Sequence, residues 1–200
     1  MKDKVQIIGL MSGTSKDGLD IALVSFDVST KEYSFDLISY STVSYPRELL
    51  DQLNQIETLS ARKIFELDKK IGLFYAQEVN SFIEVNHIDK ANITAIASHG
   101  QTIFHQPALG FSTQIGCGTS LAFHTGIKVI NDFRNKDILA GGQGAPLVPI
   151  GDELLFKNTA HSFLNIGGFT NISFKKEDKM VAFDISPGNI PLNLMANKYD

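Results

Sequence analysis

Glycines, hydroxyls and carboxylates crowd one short stretch near the N-terminus, Gly9-Leu10-Met11-Ser12-Gly13-Thr14-Ser15-Lys16-Asp17-Gly18-Leu19-Asp20. Closely spaced glycines let backbone N–H groups converge on an anion, and Thr14 and Ser15 add hydroxyl donors. Asp17 and Asp20 carry the wrong charge to meet phosphate directly. As hard oxygen ligands they could hold a Mg²⁺ that neutralises it. A polar hairpin loop without a ligand satisfies the same residue types. The spacing is neither Gly-x-x-x-x-Gly-Lys-Ser/Thr nor a Gly-x-Gly-x-x-Gly that opens a helix, so neither a P-loop nor a Rossmann site is indicated.

A second turn, Asn165-Ile166-Gly167-Gly168-Phe169-Thr170-Asn171, repeats this chemistry. One glycine-rich hairpin is weak as a signal. Two at matching places suggest two lobes that grip a polyphosphate from opposite sides. Phosphoryl transfer also needs a positioned nucleophile and usually a carboxylate to take its proton. Asp184, followed by Ile-Ser-Pro-Gly-Asn, ends a predicted strand where loops gather functional groups facing the cleft; its alternative is to cap the next turn or helix. Arg134 lies among carboxylates in Asn131-Asp132-Phe133-Arg134-Asn135-Lys136-Asp137. It could grip a sugar oxygen or a substrate carboxylate, or form a structural ion pair with Asp132 or Asp137. His99, beside Gly100 and Gln101 at a predicted strand end, could reach a ligand through its ring nitrogens. His105 and His124 read as surface or packing residues. Cys117 is the single cysteine, so no internal disulfide forms, and a histidine-based zinc site lacks partners at ligand spacing.

The elements that must carry these residues follow from periodicity. Strands are expected over 5–10 and 21–26 and through Tyr33, Phe35 and Leu37, a meander rather than a βαβ unit. Pro46 marks a helix start, with Leu49, Leu50, Leu53 and Ile56 at helical spacing. Ser60 caps a longer helix with Ile64, Leu67, Ile71, Phe74, Glu78 or Val79, and Phe82 near one face, and Phe65, Phe74, Tyr75 and Phe82 are assigned to the core or its edge. A strand over 93–98 ends in His-Gly-Gln-Thr, and another over 127–130 precedes Arg134. The glycine-rich 140–146 stretch can be neither helix nor strand interior. After a helical segment near 151–156, strands over 162–166, 170–174 and 180–184 and a helix over 192–199 repeat the opening pattern. Three short strands and one helix close only a poor core, so the chain reads as a fragment or as needing another chain to finish its second lobe.

Composition bounds the alternatives. Of 200 residues, 43% are hydrophobic and 20% charged, which excludes disorder, collagen and coiled coil. Eighteen basic against 22 acidic side chains give a net charge of −4, and the arginines Arg47, Arg62 and Arg134 sit in no basic run, so a nucleic-acid footprint is not expected. No stretch approaches the ~20 apolar residues that cross a bilayer, and no signal-peptide pattern opens the chain. The expectation is a soluble, reduced, cytoplasmic α/β protein.

Six ordered motifs go beyond generic chemistry: Gly9-Leu-Met-Ser-Gly-Thr-Ser-x-Asp-Gly-x-Asp20, Ser98-His-Gly-Gln-Thr102, Gln114-Ile-Gly116, Asp132-Phe-Arg134, Gly141-Gly-Gln-Gly-Ala-Pro-Leu-Val-Pro149 and Asn165-Ile-Gly-Gly168. Together they resemble anhydro-N-acetylmuramic acid kinases, of which the chain matches roughly the first half or more. The resemblance implies an α/β fold of the sugar kinase, actin and heat-shock ATPase superfamily. Its ribonuclease H-like lobes, each a mixed five-stranded sheet flanked by helices, close on ATP. The first would span residues 1–157 and the second would begin at 158–200, incomplete in this chain. The implied reaction opens the 1,6-anhydro ring of anhydro-N-acetylmuramic acid with water and phosphorylates its 6-hydroxyl from ATP, giving N-acetylmuramic acid 6-phosphate in cell-wall recycling.

Carried over by residue, Gly13, Thr14, Ser15, Lys16, Asp17, Gly18, Leu19 and Asp20 match the ATP-phosphate segment, with Gly167 and Gly168 opposite. Asp184 matches the general base. His99, Arg134 and Gln143 fall near the sugar, and Asp17 and Asp20 are the candidates for Mg²⁺. The expected partners are the sugar and ATP, with no nucleic acid or membrane; a homodimer is compatible with this reading. Two positions depart from the pattern: Ser186 replaces a glycine in Asp-x-Gly-Pro-Gly-Asn, and Asn193 replaces an aspartate. Those changes are what would favour the alternative, a non-catalytic, chaperone-like nucleotide-binding module of the same fold.

Overall fold

The computed structural model describes residues 4–29 and 32–199. Three antiparallel strands open it: β1 (Lys4–Ser12), β2 (Leu19–Asp27) and β3 (Ser34–Val43). Alternation sends Ile8, Leu10, Leu19, Ile21 and Leu23 to one buried face. Helix α1 (Arg47–Asn54) follows directly on Pro46, and α2 (Ala61–Val85) on Ser60, whose Oγ accepts the Lys63 N–H at 3.4 Å. The face of α2 built from Leu67, Ile71, Phe74, Tyr75, Val79 and Phe82 joins the strand residues in one core. Each such side chain, fully buried, contributes about 1.5–3 kcal/mol. Phe65 is a correction: it is 72% exposed, because it lies one position beyond Ile64, off the buried stripe.

Strand β4 (Ile93–Gln106) runs parallel to β1 and is far longer than the 93–98 segment expected. Glycine did not end it but bulged it. Leu10 pairs with Ser98 and Ser12 with Gln101, so β4 inserts one residue at a point where Gly100 takes φ +74°. Beyond the bulge β4 pairs antiparallel with β5 (Phe111–Ile115), and before it with the short parallel β6 (Val129–Ile130). The sheet order is therefore β3-β2-β1-β4-β5, with β6 also on β4, giving six strands where five were expected. Helix α3 (Gly118–Thr125), capped by the buried Cys117, packs on α2, and neither β5 nor α3 was anticipated.

Helices α4 (Asn135–Leu139) and α5 (Val148–Leu155) flank the glycine-rich stretch. A second sheet follows, the antiparallel β7 (Ser162–Ile166), β8 (Phe169–Lys176) and β9 (Lys179–Pro187), and then α6 (Asn189–Tyr199). Ser173 on β8 donates to the buried Asp152 carboxylate on α5 at 2.5 Å, tying that sheet to the preceding helix. Among the described residues no helix is long and apolar enough to cross a membrane.

Candidate functional site

The two glycine turns meet. A Cβ built on Gly168 would lie 2.5 Å from Thr14 Oγ1, so only glycine lets the β7–β8 turn approach the β1–β2 turn this closely. Around the meeting point opens a cleft of about 480 Å³. Gly13 and Thr14 line it from the first turn, Gly167 and Gly168 from the second, His99 and His105 from β4, and Arg134, Gln143 and Asp184 from the remaining elements.

The rest of the first turn is its frame. Lys16 adopts φ 57° and sends its ammonium to α1, donating to the Leu53 carbonyl at 3.1 Å and to Asn54 Oδ1 at 3.3 Å. A cation at a helix C-terminus is favourably placed there, and it does not line the cleft. Gly18 packs against the Val43 backbone, Leu19 belongs to the core, and Asp20 Oδ1 accepts the Thr42 hydroxyl at 2.6 Å. Ser15 and Asp17 also fall outside the cleft lining. Asp17 and Asp20 therefore do not fit a Mg²⁺ site facing the cleft. Among the described residues no group of three or more His, Cys, Asp or Glu side chains could hold a metal ion.

The tautomer of His99 can be read from its partners. The residue is 8% exposed; Nδ1 lies 2.8 Å from the Gly100 carbonyl, and Nε2 faces Arg134 Nε at 3.1 Å and Nη2 at 2.8 Å. A guanidinium only donates, so Nε2 accepts, and the proton sits on Nδ1, donated to Gly100. Burial, with the Arg134 charge adding to it, holds the His99 pKa below the ordinary histidine value, which keeps the ring in this neutral form. Arg134 also donates through Nη1 to the Gly144 carbonyl at 2.7 Å.

The ion pair open to Arg134 in the sequence does not form. Asp132 accepts from Asn135 Nδ2 at 2.8 Å and Asp137 from the Gly144 N–H at 2.7 Å, and among the described residues Arg134 has no carboxylate partner. A guanidinium held by neutral groups at a cleft wall keeps N–H donors and a full charge for an anionic or polyhydroxylated ligand. His105, expected at the surface or in packing, is exposed and lines this cleft, with Nδ1 3.0 Å from Ser112 Oγ.

Asp184 sits opposite Asn171 in the β8–β9 ladder, whereas Thr170 pairs with Ser186, so one extra residue, Ile185, bulges β9 directly after the aspartate. Bulges re-aim side chains, and here the bulged segments of both sheets carry residues of the cleft, His99 and Asp184.

The fold and the cleft define a mixed α/β protein with a multi-strand sheet flanked by helices, consistent with the sugar-kinase and actin-like class. The family profile of anhydro-N-acetylmuramic acid kinase matches residues 5–199, and the chain belongs to that family. It is 42% identical over 191 residues to the anhydro-N-acetylmuramic acid kinase of Shewanella pealeana, covering 91% of this chain and 51% of that protein. It is 43% identical over 191 residues to the enzyme of the same name from Shewanella loihica, covering 91% of this chain and 51% of that protein. The protein of that name from Sulfurovum sp. is 37% identical over 202 residues, covering 96% of this chain and 54% of its own length. The chain thus spans about half the length of the curated relatives it matches.

Proposed function

We propose that the protein acts as its family name describes: an ATP-dependent, cytoplasmic kinase that opens the anhydro ring of anhydro-N-acetylmuramic acid and phosphorylates the 6-hydroxyl. The observation that carries this reading is the contact of Gly168 with Thr14, which brings two anion-binding turns to one cleft beside Asp184 and Arg134. In this reading phosphates lie between Gly13-Thr14 and Gly167-Gly168, with Ser15 to Asp20 framing the first turn. Any Mg²⁺ arrives with the nucleotide, and no step is drawn through it.

In this reading Asp184 takes a proton from water as its oxygen bonds to the anomeric carbon. The bond from that carbon to the bridging oxygen breaks, and the freed oxygen attacks the γ-phosphorus, with ADP leaving in line. Arg134, positioned by neutral His99, faces the sugar or its lactyl carboxylate, with Gln143 beside it. The order β3-β2-β1-β4-β5, with β4 parallel to β1, supports a ribonuclease H-like first lobe over 1–157. Residues 158–200 open a second lobe with the same meander and a following helix. Leu164, Ile166, Phe183 and Ile185 there are each more than half exposed, as expected of a lobe that is incomplete in this chain. Ser186 does not argue for a non-catalytic module: it pairs with Thr170 and takes no positive φ, so its backbone does not demand glycine.

The test is release of ADP with and without the anhydro sugar, in the wild type and in Asp184→Asn. The expected result is sugar-stimulated release that falls by orders of magnitude in the variant while nucleotide affinity, measured by calorimetry, barely changes. Undiminished turnover in Asp184→Asn would make the aspartate structural and end the proposal.

A further inference from the structure

Behind the first turn runs a line of polar side chains that the reaction above does not use. Tyr75 on α2, Tyr45 between β3 and α1, Ser12 at the end of β1 and Gln101 on β4 are 0%, 6%, 1% and 0% exposed. The Tyr75 and Tyr45 hydroxyls are 2.8 Å apart, Tyr45 lies 2.7 Å from Ser12 Oγ, and Ser12 Oγ lies 2.6 Å from Gln101 Oε1. Gln101 Nε2 then donates to the Gly13 carbonyl at 3.1 Å.

The far end fixes the direction of every proton. Reversing the amide would set Gln101 Oε1 against the Gly13 carbonyl, two acceptors face to face, so Oε1 must look back at Ser12. Ser12 gives its single proton to that oxygen, its shortest acceptor, and so accepts from Tyr45; Tyr45 in turn accepts from Tyr75. Burial pushes both tyrosine pKa values up, so neither loses its proton in the working range. Left unsatisfied, each of these groups would cost about 1–3 kcal/mol to bury, and an apolar core would avoid the risk. What the line accomplishes lies at its end. The Gly13 carbonyl is held inward by Gln101 and by the Lys16 N–H at 3.2 Å. In a trans peptide the C=O and the following N–H point in opposite directions, so pinning that carbonyl turns the Thr14 N–H away from the core, towards the cleft that Gly13 and Thr14 line. The β4 bulge is what puts Gln101 on the same face as Ser12.

We propose that Gln101 is a positioning residue, oriented through Ser12 and Tyr45 by Tyr75, that presents the Thr14 backbone N–H to a phosphate group of the bound nucleotide. The proposal rests on the reading that the first turn meets phosphate. It gives Tyr45 and Tyr75 graded roles, because Gln101 and Ser12 touch the turn, at the Gly13 and Gly18 carbonyls, whereas Tyr45 reaches Gln101 through Ser12 and Tyr75 through Tyr45 and Ser12.

The experiment compares Gln101→Met, Tyr45→Phe and Tyr75→Phe in the full chain, measuring ATP affinity by calorimetry, KM for ATP, KM for the sugar, kcat and thermal midpoint. A lost hydrogen bond to a charged group lowers affinity by about tenfold or more, so KM for ATP should rise by that factor in Gln101→Met, with kcat and the sugar KM nearly unchanged. The rise should shrink through Tyr45→Phe to Tyr75→Phe. A purely structural role predicts a different order, set by how much each change lowers the thermal midpoint. Tyr45→Phe removes one oxygen and keeps its ring, so the test survives if Gln101→Met does not fold. If the wild type binds ATP and the variants bind it equally well, the positioning role is overturned while the functional reading stands. Absence of ATP binding in the wild type would overturn both.

Discussion

The contact between the two turns can be tested without any ligand, through Gly168→Ala. Gly168 takes no positive φ, so alanine meets no backbone penalty there, and the whole effect comes from its methyl group. That methyl would lie 2.5 Å from Thr14 Oγ1 and 3.3 Å from Ile190 Cδ1. Real carbon contacts stop near 3.0 Å, so the turns must part by about half an ångström or Thr14 must leave its rotamer. Threonine is stiff at χ1, and forcing it off a rotamer costs about 0.5–1.5 kcal/mol, while overpacking costs about 1–3 kcal/mol. The expected destabilisation is about 1–2 kcal/mol, or a drop of roughly 2–8 °C in thermal midpoint for a chain of this size. Thr14→Ala deletes the atom that the methyl would strike. In Thr14→Ala/Gly168→Ala the loss should therefore shrink, leaving a coupling of at least about 0.5 kcal/mol in a cycle of chemical denaturation experiments. Effects that add to within about 0.3–0.5 kcal/mol would show the turns to be independent, and the two-sided grip on phosphate would lose its physical basis.

Two further outcomes follow from the same geometry. Gly116 has φ +122°, and a Cβ there would lie 2.9 Å from Tyr75 Cε2 and 3.3 Å from Ile71 Cγ2. Gly116→Ala should therefore cost about 2–4 kcal/mol from strain and overpacking together, read by denaturant titration, and a loss under half of that would contradict the packing of Tyr75. The second concerns pH. His99 has a folded pKa below the unfolded 6.5, so its contribution to stability is complete above 6.5 and is lost as pH falls through the lowered value. Protonation would turn Nε2 into a donor facing the Arg134 guanidinium. Thermal midpoint should thus fall faster on acidification from pH 7 to 5 in the wild type than in His99→Gln; parallel profiles would remove His99 as the cause.

Much of the site was legible because turn chemistry is local. Gly13, Thr14, Gly167 and Gly168 could be placed together from composition, since the demand for glycine arises within a few residues of chain. Helix α2 was legible for a similar reason: Ser60 satisfies an N–H three residues ahead, and the apolar stripe repeats with the helix. What the residue types left open depends on direction. Lys16 sits inside the phosphate-like segment, yet its left-handed backbone turns it to the end of α1, a partner 37 residues away. Arg134 has carboxylates on both sides in sequence, yet Asp132 and Asp137 turn to Asn135 and Gly144 and leave it to His99, 35 residues back.

The bulges are the sharpest case. Read as a strand end, Gly100 hid eight residues of β4 and the orientation of everything after them. One inserted residue reverses every later side chain relative to the partner strand. That reversal puts Gln101 beside Ser12, 89 residues earlier, and a second shift between Thr102 and Phe104, in the pairing with β5, precedes His105 at the cleft. The second sheet repeats the device at Ile185, directly beyond Asp184. Strand periodicity read straight through such a point assigns the following residues to the wrong face. A glycine inside an otherwise regular strand is therefore better taken as a change of phase than as a stop, and the residues flanking it are the ones whose facing a functional argument must establish first.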